Sequence, residues 1–250
     1  MSGKQADGGY GTIGTDEYLL RAFEQFRDHL ELLYPFAAFG VVSLFLELRL
    51  DFIELVFDFD QGRFRVDTDL LETILSEPVA AQLSPVLEEL FVLLLLGVLA
   101  IVLLAVLTLL LAFGLAFLVV ADDLESRDRS QFARARVALA RVPAFFAATI
   151  LAGVLVAVGL LFLIVPGVYL AVKFVLGGPA IVVDGHGPIG GLRASWRHVS
   201  GQFGTVAGVL ALGIVLLVVV GLIPLVGELL AILVVLPVFA IAIGTLYLDT

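Results

Sequence analysis

Lys173 is a charged residue embedded in a long apolar stretch of this 250-residue chain. A cation in such a setting either extends its aliphatic stem toward an interface or pairs with a carboxylate, and it can mark a ligand or ion pathway. Glu228, four residues after Pro224, and Glu47 are expected at a similar depth. We therefore identify Lys173, Glu228 and Glu47 as a candidate polar site. Snorkelling or pairing is the simpler interpretation, and a ligand or ion role is the alternative.

The run Asp184-Gly-His186-Gly-Pro188 holds a second pair of chemically capable residues. Aspartate and histidine together are typical of metal ligands and acid–base pairs, but no second histidine or carboxylate cluster accompanies them. Glycine and proline in this order are typical of a turn that leads into a helix, which is what we predict. The sequence also lacks cysteine and the common catalytic motifs, so we expect no enzymatic activity, no metal and no cofactor.

A predicted amphipathic helix follows this turn over 188–203. Its apolar face consists of residues three or four positions apart: Ile189, Leu192, Trp196, Val199 and Phe203. Arg193 and Arg197 share another face. Tryptophan prefers the membrane boundary and arginine binds phosphate, so we expect Arg193, Trp196 and Arg197 to contact lipid headgroups along the cytoplasmic membrane surface. The contact is either a generic anchor or selective for one lipid.

The elements that must position these residues are membrane helices. Leu90–Val120 is a run of thirty-one residues without a charge or proline, the mean hydropathy of the chain is +1.12, and 61 % of its residues are hydrophobic. About 20 apolar residues cross a bilayer as a helix. A transmembrane barrel would show stretches of about 10 residues with alternating polarity, whereas the apolar blocks of this chain are continuous. The sequence therefore predicts an all-α integral membrane bundle.

Six transmembrane helices are predicted in one membrane domain over 15–250, after a disordered tail at 1–14. The spans are expected at about 32–48, 90–120, 143–165, 166–183, 203–223 and 224–248. Turns at Pro166-Gly167 and near Pro224 divide two long apolar blocks into hairpins. The first segment is the shortest, and it is either a true span or a membrane-lying segment. Residues 50–89 form an acidic outer loop.

The distribution of basic residues predicts the orientation. If both termini are cytoplasmic, ten lysines and arginines lie inside and three lie outside. We therefore expect a multi-pass protein of the cell membrane with cytoplasmic termini. The net charge of −10 and the near absence of lysine are typical of proteins from halophilic organisms, because high salt screens an acidic surface. The sequence has no basic patch of the kind that binds nucleic acid, so we expect no nucleic-acid partner.

The segment at about 165–203 resembles a prokaryotic family of six-helix membrane domains, which includes the membrane domain of some glycerophosphodiester phosphodiesterases. The matching elements are Pro166-Gly167, Lys173, Asp184, the Leu192–Trp196 run with Ser195, and Phe203, together with the closing residues GTLYLD. The catalytic domain of those enzymes, with its metal-binding carboxylates and histidines, has no counterpart in this sequence. The resemblance implies a fold and a membrane location, not that activity.

Two functions are compatible with these patterns. The first is a non-enzymatic membrane protein that organises the membrane, is linked to lipid or tethers a partner, with membrane lipids and a membrane-protein partner as its ligands. The alternative is a small transporter or lipid-handling channel that uses a pocket around Lys173. It is suggested by that lysine and by similarity between the two hairpins, in which Arg136 and Phe146 correspond to Arg193 and Phe203.

Overall fold

The computed structural model describes residues 14–60, 63–66, 73, 77–224 and 226–249. The chain divides into two compact units, which are described separately below. The first comprises Met1–Leu33 with Phe113–Thr250, and the second comprises Tyr34–Ala112. The predicted disordered tail lies outside the described residues except for Gly14. The single domain expected over 15–250 stays a prediction.

Helices make up most of the described chain, as predicted for an all-α membrane bundle. The amino-terminal elements are α1 (Thr15–Asp28), a 3₁₀ turn (Leu30–Leu32), α2 (Leu33–Val56), β1 (Phe57–Asp60), β2 (Arg63–Val66) and α3 (Glu77–Leu124). The carboxy-terminal elements are α4 (Gln131–Phe162), α5 (Ile164–Phe174), α6 (Gly177–Val182), α7 (Pro188–Gly201), α8 (Phe203–Gly221), α9 (Gly227–Leu230), a π-helical segment (Ala231–Val235) and α10 (Leu236–Leu248).

Five helical segments are long and apolar enough to cross a membrane within the described residues. They are Glu89–Leu124, Gln131–Phe162, Ile164–Val182, Phe203–Gly221 and Gly227–Leu248. The predicted span at 32–48 is not among them, although α2 is a continuous helix of 24 residues. Glu47 and Arg49 interrupt the apolar run of this helix.

The acidic segment at 50–89 contains more regular structure than the predicted loop. Helix α2 continues to Val56, α3 begins at Glu77, and β1 and β2 form an antiparallel hairpin in which Phe57 is opposite Val66. Aromatic and charged residues alternate along β1, and the same period of two begins β2, which is typical of strands in a hairpin. Apart from Thr73, the remaining residues of this segment lie outside the described part.

The two predicted hairpin turns are confirmed. Leu163 separates α4 from α5, and Pro166 lies in the first turn of α5, where proline is tolerated. Glycine is required beside this turn, because a Cβ atom at Gly159 would lie 2.9 Å from the Cα atom of Gly167. The second turn falls between the end of α8 at Gly221 and the start of α9.

Helix α1 packs against α8 and α10. Its buried residues Tyr18, Leu19, Ala22 and Phe26 recur at helical spacing, so one face of this helix lies in the protein core. The helix begins at Thr15, and Gly14 occupies the capping position before it.

Candidate functional site

Lys173 lies midway along Ile164–Val182, beside an interruption of the helix. Helix α5 ends at Phe174 and α6 begins at Gly177, with a turn at Val175 and Leu176 between them. The Lys173 side chain is only 4 % exposed. A cation near the carboxyl end of a helix is favoured by the helix dipole, so this position is electrostatically suitable for a lysine.

Aromatic rings surround the Lys173 ammonium group. Its Nζ atom lies 5.4 Å from the ring centre of Tyr169, 5.3 Å from that of Trp196 and 5.8 Å from that of Phe203. Rings at these distances attract a cation through the negative charge of their faces. Tyr169 stacks on Phe203 and meets Trp196 edge-on, so it contacts both of the other rings. We call these three rings with Lys173 the lysine cage.

Two serines of α7 bind opposite ends of the same lysine. The Lys173 ammonium donates a hydrogen bond of 2.8 Å to the Ser200 hydroxyl, which itself donates to the Trp196 carbonyl oxygen. The Ser195 hydroxyl donates at 2.7 Å to the main-chain oxygen of Lys173 and is fully buried. Carbonyls at a helix end lack intrahelical donors, so Ser195 satisfies one that the interruption exposes.

Of the two predicted carboxylate partners, only Glu228 lies in the same unit as the lysine. Glu228 lies exposed in the first turn of α9 and forms no ion pair with Lys173 among the described residues. Glu47 belongs to α2 of the second unit. The aromatic partners were not predicted, although Tyr169 precedes Lys173 by one helical turn. That spacing was the available signal, whereas Trp196 and Phe203 approach only through tertiary packing.

Helix α7 runs back along α6 and α5 in the opposite direction. Gly191 packs on Gly177, Ser195 reaches Lys173, and Phe203, at the start of α8, stacks on Tyr169. Glycine permits the close approach, because a Cβ atom at Gly191 would lie 3.1 Å from the Gly177 carbonyl oxygen. One side of α7 is therefore occupied by protein rather than by lipid.

The predicted apolar face of α7 is divided between the protein core and the surface. Leu192 and Val199 are buried in the protein, so this part of the apolar face packs against protein. The reason is that Leu192 packs in a core cluster with Ala148 and Ile181. The remaining apolar positions are exposed, as are both arginines of the predicted headgroup site. These exposed residues are Ile189, Arg193, Trp196, Arg197 and Phe203.

The Asp184–Pro188 run forms a turn between α6 and α7, as predicted. Gly185 has a φ of +75°, a conformation that favours glycine, and its carbonyl oxygen accepts a hydrogen bond of 3.0 Å from Arg141. Asp184 accepts a hydrogen bond from the Tyr247 hydroxyl, and His186 contacts the Ala180 carbonyl oxygen at 3.0 Å. Within the described ranges, no three metal-binding side chains come together.

An ionic cluster that the sequence analysis missed joins the ends of α1 and α3 to the start of α4. Asp122 is 1 % exposed and accepts a hydrogen bond of 2.8 Å from Arg134, which also donates at 3.0 Å to Glu31. Arg129 lies 3.4 Å from the other Asp122 oxygen. His29 contacts Asp123 at 2.8 Å. In the sequence these residues appeared only as polar residues flanking a predicted span.

The groove beside the lysine cage is apolar. It has a volume of about 350 Å³ and lies between α4 and the α5–α6 pair. Its walls include Phe145, Ala152, Phe174 and Leu210, with Thr149 as a polar contributor whose hydroxyl is already bonded to the Phe145 carbonyl oxygen. A hydrocarbon chain fits such a surface, whereas a hydrated solute does not. No match to this chain was found among protein-family models, curated proteins or solved structures.

Proposed function

We propose that this chain is a non-enzymatic multi-pass membrane protein whose helical bundle organises or anchors membrane components and binds lipid. The observation that carries the proposal is the lysine cage. Three rings, a serine and neighbouring helices occupy the surroundings of the Lys173 ammonium, which is 4 % exposed. A cation that is already satisfied in this way stabilises packing and is not free to bind a solute.

We further propose that the helix α7 surface contacts lipid headgroups on the cytoplasmic side. Arg193 and Arg197 are exposed and no ion pair engages them within the described part of the chain. Trp196 is 39 % exposed on the same helix. Arginine near an anionic surface contributes about 1 kcal/mol per residue, and tryptophan favours the same boundary. We also propose that the chain contacts a membrane-protein partner. The segment at about 165–203 is proposed to belong to the family of six-helix membrane domains that it resembles.

The proposed topology has six spans, with both termini cytoplasmic and residues 50–89 outside the cell. The excess of basic residues at 121–141 and in α7 supports this orientation. Helix α2 is proposed as the first, short span. Its exposed apolar side chains include Val41, Leu44 and Phe45, which is consistent with contact to hydrocarbon.

A small transporter is the second candidate function. The interruption between α5 and α6, directly after Lys173, favours it, because transporter sites are often built at broken helices in the middle of the membrane. This function requires water to reach the lysine cage in at least one conformation. The first proposal requires the surroundings of Lys173 to stay dry.

Thiol accessibility separates the two candidates, because the chain has no native cysteine. Ser195→Cys places a thiol next to Lys173, and exposed Ser126→Cys is the control. In proteoliposomes we expect a charged methanethiosulfonate reagent to modify Cys at 126 and to leave Cys at 195 unmodified until detergent and heat unfold the protein. Modification at 195 in the folded protein would instead support the transporter.

A further inference from the structure

Arg49 is a charged residue whose nearest described surroundings are apolar. It lies in α2, and its Nη2 atom occupies the space in front of Gly97 of α3, where a Cβ atom would lie only 3.1 Å away. Gly97 is seven residues after Leu90, the first residue of the charge-free run of α3. At 1.5 Å per residue, this places Arg49 about 10 Å along the apolar part of the helix.

The Arg49 guanidinium group has unused hydrogen-bonding capacity. Its Nε atom is buried and has no hydrogen-bond partner. Among the described residues, no carboxylate forms an ion pair with it. A guanidinium group has five N–H donors, and leaving a buried donor unsatisfied is unfavourable. An anionic acceptor from outside the chain would remove this deficit.

A groove next to Arg49 is suited to a hydrocarbon chain. It has a volume of about 370 Å³ and is lined, besides Arg49, by Phe45, Leu48, Phe52 and Ile101. Phe45 is 62 % exposed, Leu48 is 57 % exposed and Phe52 is 44 % exposed. Such walls suit an acyl chain and not a hydrated ion, while the guanidinium suits a phosphate, which it binds through two parallel hydrogen bonds.

We infer that Arg49 and this groove form a binding site for an anionic phospholipid. The phosphate accepts hydrogen bonds from the guanidinium, and an acyl chain lies along the apolar walls. Gly97 is a positioning residue, because a Cβ atom there would lie 3.1 Å from Nη2 and a larger side chain would displace the guanidinium. The site belongs to the second unit and does not depend on the lipid contacts proposed for α7.

Lipid titrations of the full-length protein in detergent test the inference. Phosphatidylglycerol retained per protein is measured by native mass spectrometry, with phosphatidylcholine and inorganic phosphate as comparison ligands. We expect Arg49→Gln to weaken phosphatidylglycerol binding about tenfold, as expected for one charge-assisted contact, and Arg49→Lys to weaken it less. Gly97→Leu should reduce binding without removing the charge. The matched control Arg127→Gln changes an exposed arginine that is paired with Glu125, and it should leave binding unchanged.

Three results would overturn the inference. Equal phosphatidylglycerol binding by wild type and Arg49→Gln would show that Arg49 does not hold the headgroup. Full competition by millimolar inorganic phosphate would indicate a free-anion site rather than a lipid site. Unchanged binding by Gly97→Leu, with correctly folded protein by circular dichroism, would remove the groove from the site. If Arg49→Gln does not fold, Arg49→Lys and Gly97→Leu provide the same comparison.

Discussion

The Ser195 hydroxyl donates a hydrogen bond of 2.7 Å to the main-chain oxygen of Lys173. It thereby bridges α7 to the carboxyl end of α5, where the helix is interrupted. Five residues further along α7, Ser200 accepts a hydrogen bond from the ammonium group of the same lysine. Two serines of one helix therefore fix both the main chain and the side chain of a residue in another helix.

Ser195→Ala is expected to destabilise the bundle by about 1–3 kcal/mol, because it leaves a buried carbonyl without a donor. The midpoint of thermal unfolding in detergent, followed by size-exclusion chromatography, measures the effect. Thr149→Ala is the matched control, since that hydroxyl bonds to a carbonyl of its own helix and should cost much less. Equal midpoints for wild type and Ser195→Ala would contradict the structural role of this contact.

Lys173→Met is expected to leave the protein folded and inserted. Methionine keeps an unbranched apolar stem among the rings, and removal of a charge favours insertion, since a central lysine costs about 2.5–3.5 kcal/mol on insertion scales. Lys173→Glu should be clearly less stable, because a carboxylate faces the negative faces of the same rings. The yield of monodisperse protein and its unfolding midpoint report both effects. A collapse of the methionine variant would show that the ammonium group is essential for packing.

The sequence identified Lys173 but not its partners, and the physical reason is distance along the chain. A charge within an apolar run is visible by inspection, and so is a tyrosine one helical turn before it. Trp196 is twenty-three residues away, and it reaches the lysine only because α7 folds back along α5. The amphipathic pattern predicted that α7 is a surface helix, so Trp196 was expected only at the membrane boundary.

Hydropathy predicted the long apolar helices well. It did not predict the extent of a helix that contains charged residues. The turns at Pro166 and near Pro224 were found because proline and glycine interrupt helices for local reasons. The full length of α2 was not predicted. Glu47 and Arg49 suggested that the helix ends there, but it continues to Val56. The ionic cluster at Asp122 was missed because its members come from three segments of the chain.

Asp122→Ala is expected to destabilise the first unit by about 3–5 kcal/mol. The change leaves Arg134, which is 12 % exposed, without its buried partner, and breaking one side of a buried ion pair has this cost. Arg129→Gln removes a longer and more exposed contact with the same aspartate, so its effect should be about 1 kcal/mol or less. Chemical unfolding in detergent compares the two variants. A similar loss for both would contradict the assignment of Arg134 as the main partner.

Alkaline pH is expected to destabilise the contact between α1 and α10. Burial, followed by the nearby charge of Asp249, raises the pKa of the Tyr18 hydroxyl above its usual value of 10.0. A raised pKa in the folded state means that the stabilisation is fully present below pH 10.0 and is lost as pH rises through the folded-state pKa. The stability of Tyr18→Phe should therefore fall less steeply above pH 10.0 than that of wild type. Tyr34→Phe changes an 80 % exposed tyrosine and should follow the wild-type curve.

Trp196, the single tryptophan of the chain, reports directly on the α7 surface. Its ring packs on Phe174 and Tyr169, so its fluorescence should be blue-shifted relative to tryptophan in water. Brominated lipids with shallow bromine positions should quench it, since 39 % of the residue is exposed at the proposed headgroup boundary.

The emission should stay blue-shifted in high salt and in the double variant Arg193→Gln, Arg197→Gln. Salt screens the attraction between arginines and anionic lipid, but it does not weaken the packing of Trp196 on neighbouring rings. Binding of the variant to anionic vesicles should nevertheless become less sensitive to salt, because two charges that face the lipid are removed. Quenching only by deep bromine positions would place α7 inside the hydrocarbon. Water-like emission would show that α7 does not pack along α5, and it would contradict the lysine cage at the same time.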